Sequence, residues 1–281
     1  MLSTTFKRVD ARRFGPWALV TGASSGIGRE FARQLAANGL NLILVARRLS
    51  ILGEVAQDLA ARYGVQCHCV PVDLAAPDFL TPVAEATDDR DVGLVVSNAG
   101  DMVLGGFLDS THEALLGEMR VNAETHLRLT RHFGQRLVAR GRGGILLVSS
   151  VAGLQPVPYI ANYSATKSYV LTLGEAVHHE LAPKGVNVTV LVPGATDTPM
   201  LTRFGADQTP MRRLTMPVQA CVSDGLAALA ANRPKRISGA MNRATIATVP
   251  RAIRTRLFGA MNKSMAEQAS RTATAPLPST R

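Results

Sequence analysis

The feature that most constrains the fold is a regular alternation of short apolar runs with helical patterns. Six apolar runs with the length of buried strands lie at 17–20, 41–46, 66–72, 93–97, 144–149 and 187–192. Helical patterns separate them at 26–38, 50–63, 79–86, 111–139 and 163–181. Parallel strands need crossover connections, which cover the sheet with helices. The alternation therefore predicts an α/β fold in one domain, a Rossmann-type doubly wound parallel sheet with helices on both faces.

A glycine-rich turn joins the first predicted strand to the first helix, where residues 21–28 read Thr-Gly-Ala-Ser-Ser-Gly-Ile-Gly. Glycines allow the backbone to approach a phosphate closely, and the free N–H groups at the start of the helix can donate to it. The turn is predicted to bind a dinucleotide cofactor through Gly22, Ser24, Ser25, Gly26, Ile27 and Gly28. The alternative is a glycine-rich turn that holds no ligand.

The end of the second predicted strand indicates which dinucleotide binds. NAD-binding proteins place an acidic residue about 20 residues after the glycine turn, where it binds the adenosine ribose. This chain has Ala46, Arg47 and Arg48 there, and a guanidinium can bind a 2′-phosphate with two hydrogen bonds. Arg47 and Arg48 therefore favour NADP(H) over NAD(H). The alternative is a solvated basic turn.

Ser150, Tyr163 and Lys167 form a candidate catalytic set. Tyr163 and Lys167 are four residues apart at the start of a helical pattern, so their side chains share a face. A cation about 4 Å from the phenol would favour phenolate by about 4 kcal/mol, which corresponds to lowering the pKa by about three units. Ser150 follows the fifth strand, at the carboxyl edge where ligands of such sheets bind, and it can polarise a carbonyl. Strand alternation turns Ser149 the other way.

Several motifs follow the glycine turn in a fixed order up to about residue 200. They are Asp73 with Leu74, Asn98 with Ala99 and Gly100, Asn122, Ser149 with Ser150, the run from Tyr163 to Lys167, Pro193 with Gly194, and Thr198. Together with the turn, they resemble the short-chain dehydrogenase/reductase family. Ser97 departs from the pattern, since the family often has a second Asn there, and we expect little consequence.

The resemblance implies further roles for these residues. Asp73 would contact the adenine, 98–100 the adenosine, and Thr198 would reach the nicotinamide end. The cofactor-binding set also includes Leu74, Pro193 and Gly194. Lys167 would hold the nicotinamide ribose, and Asn122 would hold a water that passes protons from Lys167 to solvent.

The implied activity is that of an NADP(H)-dependent oxidoreductase acting on CH–OH donors, a carbonyl reductase with Tyr163 as general acid and base. One alternative is a non-catalytic NADP(H)-sensing protein on the same fold, although a sensor has no need of all three catalytic groups. Another is an epimerase or dehydratase of the extended branch. That branch has the spacing Thr-Gly-x-x-Gly-x-x-Gly and a larger substrate domain, and this chain has neither.

The predicted substrate pocket is apolar, so its substrate is expected to be an apolar ketone, aldehyde or alcohol. The apolar residues expected to form its walls are Met102, Val103, Leu104, Ala152, Leu154, Val157, Ile160, Met200, Leu201 and Phe204. Arg203, Arg212 and Arg213 are the charged exceptions. The runs 156–158 and 261–264 resemble the branch of microsomal 3-oxoacyl-CoA reductases, hydroxysteroid dehydrogenases and uncharacterised bacterial reductases. An acyl thioester is therefore a second substrate class.

The domain bounds follow from composition. We predict an N-terminal segment at 1–14, a dinucleotide-binding catalytic domain at 15–240 with a substrate loop at 195–215, and a basic extension at 241–281. Nearly all of the net charge of +10 arises after residue 230, where the sequence has ten basic residues and a single acidic residue, Glu267. Residues 272–281 are expected to be disordered.

The basic extension contains an apolar residue at every fourth position: Val249, Ile253, Leu257, Met261 and Met265. The pattern predicts a helix that packs this stripe on the core or on a second subunit and leaves its arginines solvated. Contact with an anionic membrane surface, or with the phosphates of a CoA or carrier-protein thioester, stays open. Nucleic acid is disfavoured, because Phe258 is the segment's one aromatic residue.

The three cysteines indicate a reducing compartment and no metal site. Cys67 and Cys69 lie on one face of a predicted strand, and a zinc site would lack two further ligands, so a buried structural pair is predicted. With Cys221 the count is odd. Without a bilayer-length apolar run or a signal-peptide pattern, we expect a cytoplasmic protein. By resemblance, the long helices at 111–139 and 163–181 would build a homodimer or homotetramer.

Overall fold

The computed structural model describes residues 9–203 and 215–274 of the 281-residue chain. Within these residues, one parallel sheet has the strand order β3-β2-β1-β4-β5-β6-β7. The strands are β1 Trp17–Thr21, β2 Asn41–Ala46, β3 Cys67–Pro71, β4 Val92–Ser97, β5 Gly143–Val148, β6 Val186–Val192 and β7 Lys235–Ile237. The predicted doubly wound α/β fold in a single domain is confirmed.

Helices cover both faces of this sheet. The α-helices are α1 Ala11–Phe14, α2 Gly26–Ala37, α3 Leu49–Tyr63, α4 Leu80–Glu85, α5 His112–Met119, α6 Thr125–Arg140, α7 Ala161–Leu181, α8 Pro199–Arg203, α9 Val218–Ala230, α10 Ala240–Thr248 and α11 Arg251–Thr274. Alternate strand residues face opposite layers. Val20 of β1, for example, packs with α2, α3 and α9, whereas Leu19 packs with α4 and α6. Two apolar layers therefore hold the sheet.

The order of the strands creates a crevice at one place. The chain runs outward from β1 to β3 and then returns to β4 on the other side of β1. The connections after β1 and β4 therefore diverge at the carboxyl edge, which is where open α/β sheets bind ligands. The glycine turn follows β1 and the 98–100 motif follows β4, so both predicted motifs lie at this crevice.

The structure differs from the predicted elements in several places. Within the described residues, the strand β7 and the helices α1, α8, α9 and α10 were not predicted. The helix expected at 111–139 is divided by a π-helical turn at Arg120–Glu124. The disorder expected from residue 272 is wrong for 272–274, which continue α11; residues 275–281 lie outside the described part, as do 1–8. No helix within the described ranges is long and apolar enough to span a bilayer.

Candidate active site

The glycine turn is shaped by close backbone contacts. Gly22 and Gly26 have φ of 69° and 53°, a region that favours glycine. A Cβ added to Gly28 would lie 2.2 Å from the carbonyl oxygen of Gly22. Ser25 precedes α2 and makes no side-chain capping bond. The first N–H groups of α2 are therefore uncapped at the crevice and fit an anionic group.

Asn98 connects this turn to the next strand. Its Nδ2 donates to the carbonyl oxygen of Thr21 at 2.9 Å, and its backbone N–H donates to Thr21 Oγ1 at 2.9 Å. The backbone N–H of Ala99 donates to the same hydroxyl at 3.0 Å. The ends of β1 and β4 are thus held together by hydrogen bonds beside the glycines.

The remaining predicted cofactor residues line the same edge of the sheet. Arg47 and Arg48 follow β2 and are both exposed. Asp73 follows β3 and accepts a hydrogen bond from the Ala75 N–H at 3.0 Å, while Leu74 is buried. Their proposed contacts with a cofactor stay predictions.

Thr198 covers the glycine turn from the β6 side. A Cβ added to Gly26 would lie 3.3 Å from Thr198 Cγ2. After β6, the Pro193 carbonyl accepts from the Val151 N–H at 2.8 Å, so the loops after β5 and β6 are joined. The crevice therefore has walls on both sides of the turn.

Ser150 and Tyr163 meet where β5 ends. Ser150 Oγ accepts from the Ala152 N–H at 3.1 Å and is hydrogen-bonded to the Tyr163 side chain. Ser149 points the other way, as strand alternation predicts, and its hydroxyl donates to the Lys167 carbonyl at 2.6 Å. Ser149 thereby anchors α7, which carries both Tyr163 and Lys167.

Lys167 is a buried ammonium at the centre of the site. Its side chain is 3% exposed, and Nζ donates to the Val148 carbonyl at 3.1 Å. A Cβ on Gly100 would lie 3.1 Å from this nitrogen, so the residue must be small. Burial lowers the pKa of Lys167 to about 8, with Glu118 acting in the opposite direction.

Lys167 lies beside the ring of Tyr163. Its ammonium is 5.7 Å from the centroid of that ring. Burial raises the pKa of Tyr163 to about 12, opposed by the hydrogen bond to Ser150 and reinforced by Glu118. The direction of this shift is opposite to the lowering of the Tyr163 pKa that the sequence predicts, because burial disfavours the charged phenolate.

Asn122 lies in the π-helical turn and is fully buried. Its Oδ1 accepts from the Asp101 N–H at 2.8 Å, and its Nδ2 donates to the Asp101 carbonyl at 2.7 Å and to Thr166 Oγ1 at 3.2 Å. A Cβ on Gly100 would lie 3.2 Å from Oδ1. The turn therefore brings Asn122 beside Gly100 and Lys167, as π-turns at functional sites often do.

Glu118 belongs to this site and was not predicted. It is 3% exposed; Oε1 accepts from the Val103 N–H at 3.1 Å and Oε2 from Asn162 Nδ2 at 2.6 Å. Burial raises the pKa of its carboxyl, while Asn162, Val103 and Lys167 oppose that shift. Glu118 thus links the loop after Gly100 to the start of α7. A glutamate in a helical pattern usually faces solvent, so the sequence carried no signal of this.

Ser97 and His126 form a buried pair behind the site. Ser97 Oγ and His126 Nδ1 are 2.9 Å apart, and neither side chain is exposed. Burial, together with the charge of Lys167, holds the pKa of His126 well below its usual range. Ser97 is therefore held by a buried histidine whose neutral form is favoured.

A small apolar cluster lies next to Tyr163. Its buried members are Ala152, Val157 and Ile160, and Met102, Leu104, Tyr163 and Phe258 pack against them. Five of the predicted pocket residues are thus brought together. Leu154 is an exception, because it packs into the core with β5, β6 and α7. Phe204, Arg212 and Arg213 lie outside the described residues.

The predicted charged exception Arg203 is engaged within the protein. It forms an ion pair with Asp101, which links α8 to the loop after Gly100. This ion pair therefore connects the segment after β6 to the segment after β4.

Comparison with known proteins decides the family. The family model described as short chain dehydrogenase matches residues 16–209. This chain belongs to that family. A very-long-chain 3-oxoacyl-CoA reductase of Eremothecium gossypii is 36% identical over 199 residues, which is 68% of this chain and 56% of the reductase. The match therefore spans little more than half of that relative's length.

Two solved structures resemble this short-chain dehydrogenase over most of its length. One, from work on 7beta-hydroxysteroid dehydrogenase stereoselectivity, is 28% identical with a TM-score of 0.83, and the match covers 89% of this chain and 98% of the other. The other, a short-chain dehydrogenase from Sphingobium yanoikuyae in complex with NADPH, is 29% identical with a TM-score of 0.74, over 95% and 99%. The resemblance predicted from the motifs is confirmed.

The C-terminal helices of this short-chain dehydrogenase lie beyond residues 16–209, which the family model matches, and still reach the site. Asn242 of α10 packs so closely on Gly194 that a Cβ there would lie 2.3 Å from its Nδ2. A Cβ on Gly259 of α11 would lie 2.9 Å from Pro158 Cγ, and Asn262 Nδ2 is 3.5 Å from the Pro158 carbonyl. The two segments that resemble the 3-oxoacyl-CoA reductase branch are therefore in contact.

The stripe predicted for this extension is partly wrong. Ile253 and Leu257 are 49% and 67% exposed, whereas Met265 is buried as expected. The face of α11 that packs on the protein instead includes Arg254 and Phe258, which directly follow Ile253 and Leu257 in the sequence. A spacing of four residues drifts around a helix of 3.6 residues per turn, so the stripe cannot stay on one face.

The cysteines are less buried than predicted. Cys67 and Cys69 lie on β3 and are half-buried, packing against the layer that includes α3. Burial raises the pKa of the Cys67 thiol to about 11 and raises that of Cys69. Both are free, as is Cys221. Thiols with raised pKa values are poor nucleophiles, which supports a structural interpretation.

Proposed function

We propose that this short-chain dehydrogenase is an NADP(H)-dependent oxidoreductase that interconverts an apolar ketone or aldehyde and its alcohol. The observation that carries the proposal is the meeting of Ser150, Tyr163 and Lys167 at the carboxyl edge of β5. A phenol, a hydroxyl and an ammonium lie there between a phosphate-compatible turn and an apolar cluster. That arrangement suits polarising and protonating a carbonyl oxygen.

The residues at the crevice fit a phosphorylated nicotinamide dinucleotide. The glycine turn leaves room for a pyrophosphate at the uncapped start of α2, and Arg47 and Arg48 are exposed where a 2′-phosphate would lie. The relative complexed with NADPH supports the same cofactor. When bound, the cofactor supplies the hydride chemistry.

In the direction of reduction, Tyr163 donates its hydroxyl proton to the carbonyl oxygen as that oxygen gains charge. Ser150 stabilises the same oxygen with a hydrogen bond. The ammonium of Lys167 favours the phenolate left on Tyr163. Asn122 positions the Asp101 backbone beside Lys167, where a proton can return to the site from solvent.

Experiment distinguishes this proposal from the sensor alternative. NADPH and NADH consumption is measured with apolar ketones, aldehydes and a 3-oxoacyl thioester, with Tyr163→Phe as the matched variant. We expect turnover with NADPH that falls by about 100-fold or more in the variant, while NADPH binding is retained. Tight NADPH binding without turnover on any substrate would support the sensor, and a preference for NADH would contradict the role of Arg47 and Arg48.

We also propose that a second copy of this chain packs on α5 and α7. Leu116, Met119 and Tyr169 are large apolar or aromatic residues, each at least 41% exposed, on the helices for which the family resemblance implies a subunit contact. Light scattering should show a dimer or tetramer, and Met119→Glu should shift it towards monomer. A monomeric wild-type protein at micromolar concentration would contradict the proposal.

A further inference from the structure

Arg254 on α11 is a buried cation, and part of its guanidinium group is unpaired within the described residues. Its side chain is 8% exposed, and Nε and Nη1 are buried with no hydrogen-bond partner among the described residues. From residue 225 to 266 the sequence contains no Asp or Glu, so α10 and the adjoining turns of α11 supply no counter-charge. An anion that reaches Arg254 would offset a large desolvation cost.

The position of Arg254 connects it to the substrate side of the site. Arg254 and Phe258 are four residues apart on α11 and share a face, about 6 Å apart along the helix axis. Phe258 packs with the apolar cluster that contains Tyr163, and the next residue, Gly259, packs on Pro158. The buried guanidinium therefore lies one helical turn beyond the apolar cluster.

Neighbouring arginines do not share this environment. Arg251 and Arg256 are exposed on the same helix, and Arg203 is paired with Asp101. Burial therefore distinguishes Arg254 from the general basic character of the extension, and Arg256 provides a matched control.

We propose that Arg254 binds an oxyanion at the end of the substrate remote from its reacting carbonyl. The substrate class is then an apolar carbonyl compound with a terminal carboxylate or phosphate, since both offer a guanidinium two parallel hydrogen bonds. The apolar part lies against Phe258 and its neighbours. The inference rests on the proposed function, because the reaction at Tyr163 defines which end of the substrate is remote.

The test compares acids with their neutral esters. NADPH-dependent kcat/KM is measured for oxo-carboxylic acids of increasing chain length and for their methyl esters, with wild-type protein, Arg254→Met, Arg254→Lys and Arg256→Met. We expect wild type to prefer the acid at one range of chain lengths. Arg254→Met should lower the ratio of kcat/KM for the acid to kcat/KM for its ester by about tenfold or more, which is the size of one charge-assisted hydrogen bond. The change should arise mainly from a higher KM for the acid. Arg256→Met should leave the ratio unchanged.

The source of the oxyanion is resolved by a second series. Oxoalkyl phosphates and a 3-oxoacyl-CoA are compared with the corresponding neutral oxoalkyl alcohols and a 3-oxoacyl pantetheine. A larger Arg254-dependent gain for the phosphorylated compounds assigns a phosphate, and a larger gain for the acids assigns a carboxylate. If Arg254→Met does not fold, Arg254→Lys provides the test. Lysine keeps the positive charge but cannot donate the two parallel hydrogen bonds of a guanidinium. An acid-to-ester ratio of kcat/KM that is unchanged in Arg254→Lys overturns the inference.

Calorimetry separates the inference from the proposed function. Unreactive fatty acids and their methyl esters are titrated into wild type and the variants in the presence of NADP⁺. Turnover without any acid preference, together with binding that does not depend on Arg254, overturns the oxyanion site alone. Binding that depends on Arg254, without turnover of any carbonyl compound, overturns the proposed function and leaves the site.

Discussion

The cofactor side and the substrate side of the cleft are built from different parts of the chain. On the cofactor side, Gly22, Gly26 and Gly28 bring backbone against backbone, and Asn98 fixes the turn by hydrogen bonds to Thr21. On the substrate side, side chains from three distant segments meet, among them Met102, Val157 and Phe258. The first is mainly one turn of the chain, held by Asn98 from the end of β4; the second is an assembly of side chains from separate elements.

This difference predicts how each side responds to substitution. The turn has no room for a side chain at Gly28, where an added Cβ would lie 2.2 Å from the Gly22 carbonyl oxygen. An apolar cluster of flexible and branched side chains can repack around changes in volume. Changes on the cofactor side should therefore abolish reactions with every substrate, and changes on the substrate side should alter which substrate reacts.

The largest effect is expected for Gly28→Ala. The added methyl would overlap the Gly22 carbonyl oxygen and approach Asn98 Nδ2 to 2.6 Å, so the turn must move. We expect NADPH affinity, measured by fluorescence titration, to fall by about 100-fold or more, a loss of ~3 kcal/mol. Gly53→Ala on α3, where nothing lies within 4 Å of the new methyl, should leave affinity unchanged. Normal binding by Gly28→Ala would remove the distinction between the two sides.

The next effect concerns Arg47 and Arg48. Replacing both with Ala should raise the KM for NADPH by about 10- to 100-fold, the value of charge-assisted hydrogen bonds to a phosphate. The KM for NADH should change little, since NADH has no 2′-phosphate. Arg62→Ala, at the far end of α3, serves as the control. An equal increase in KM for NADPH and for NADH would show that the two arginines support the fold instead of binding the 2′-phosphate.

On the substrate side, Phe258→Ala should raise KM for apolar carbonyl compounds by about tenfold, consistent with losing ~1.5 kcal/mol of apolar contact. NADPH affinity should stay within about twofold of wild type. Leu257→Ala is a matched control, because the Leu257 side chain is 67% exposed. A fall in NADPH affinity in Phe258→Ala would mean that the two sides are coupled.

The smallest effect should be a shift in pH dependence. Glu118 raises the pKa of Lys167, which burial lowers to about 8; Tyr163 and His126 are the other titratable groups close to this ammonium. In Glu118→Gln the Lys167 pKa should fall further, so the ammonium is lost at a lower pH. The alkaline limb of kcat/KM should therefore move to lower pH, by less than about one unit. Glu113→Gln, exposed on the same helix, should leave the limb in place, and a limb shifted upward would contradict the assignment.

The sequence predicts the cofactor side well because the signal there is local. Each of the six expected strands occurs, and the glycines lie between β1 and α2 as their spacing requires. By contrast, β7 is three residues long and includes Lys235 and Arg236, so it has no apolar run to reveal it. The helix α9 has no capping side chain at its start, and its many small residues show no clear helical periodicity of apolar positions.

The site is predictable only where chemistry and spacing coincide. Ser150, Tyr163 and Lys167 are found together, but the sign of the pKa shift of Tyr163 depends on burial that no pattern records. Glu118 and Arg254 carry charges that normally face solvent, so their burial could not be expected from residue type. Long-range packing decides both positions.

The contact between Gly259 and Pro158 also bears on how such enzymes diverge. The residues that match the family end at 209, whereas α11 begins at Arg251 and still forms part of the wall beside Tyr163. A lineage could exchange or lengthen this terminal helix while keeping residues 16–209, which the family model matches. Gene duplication followed by change in this helix would then alter one wall of the apolar cluster, and grafting α11 between related proteins would make the same change by engineering.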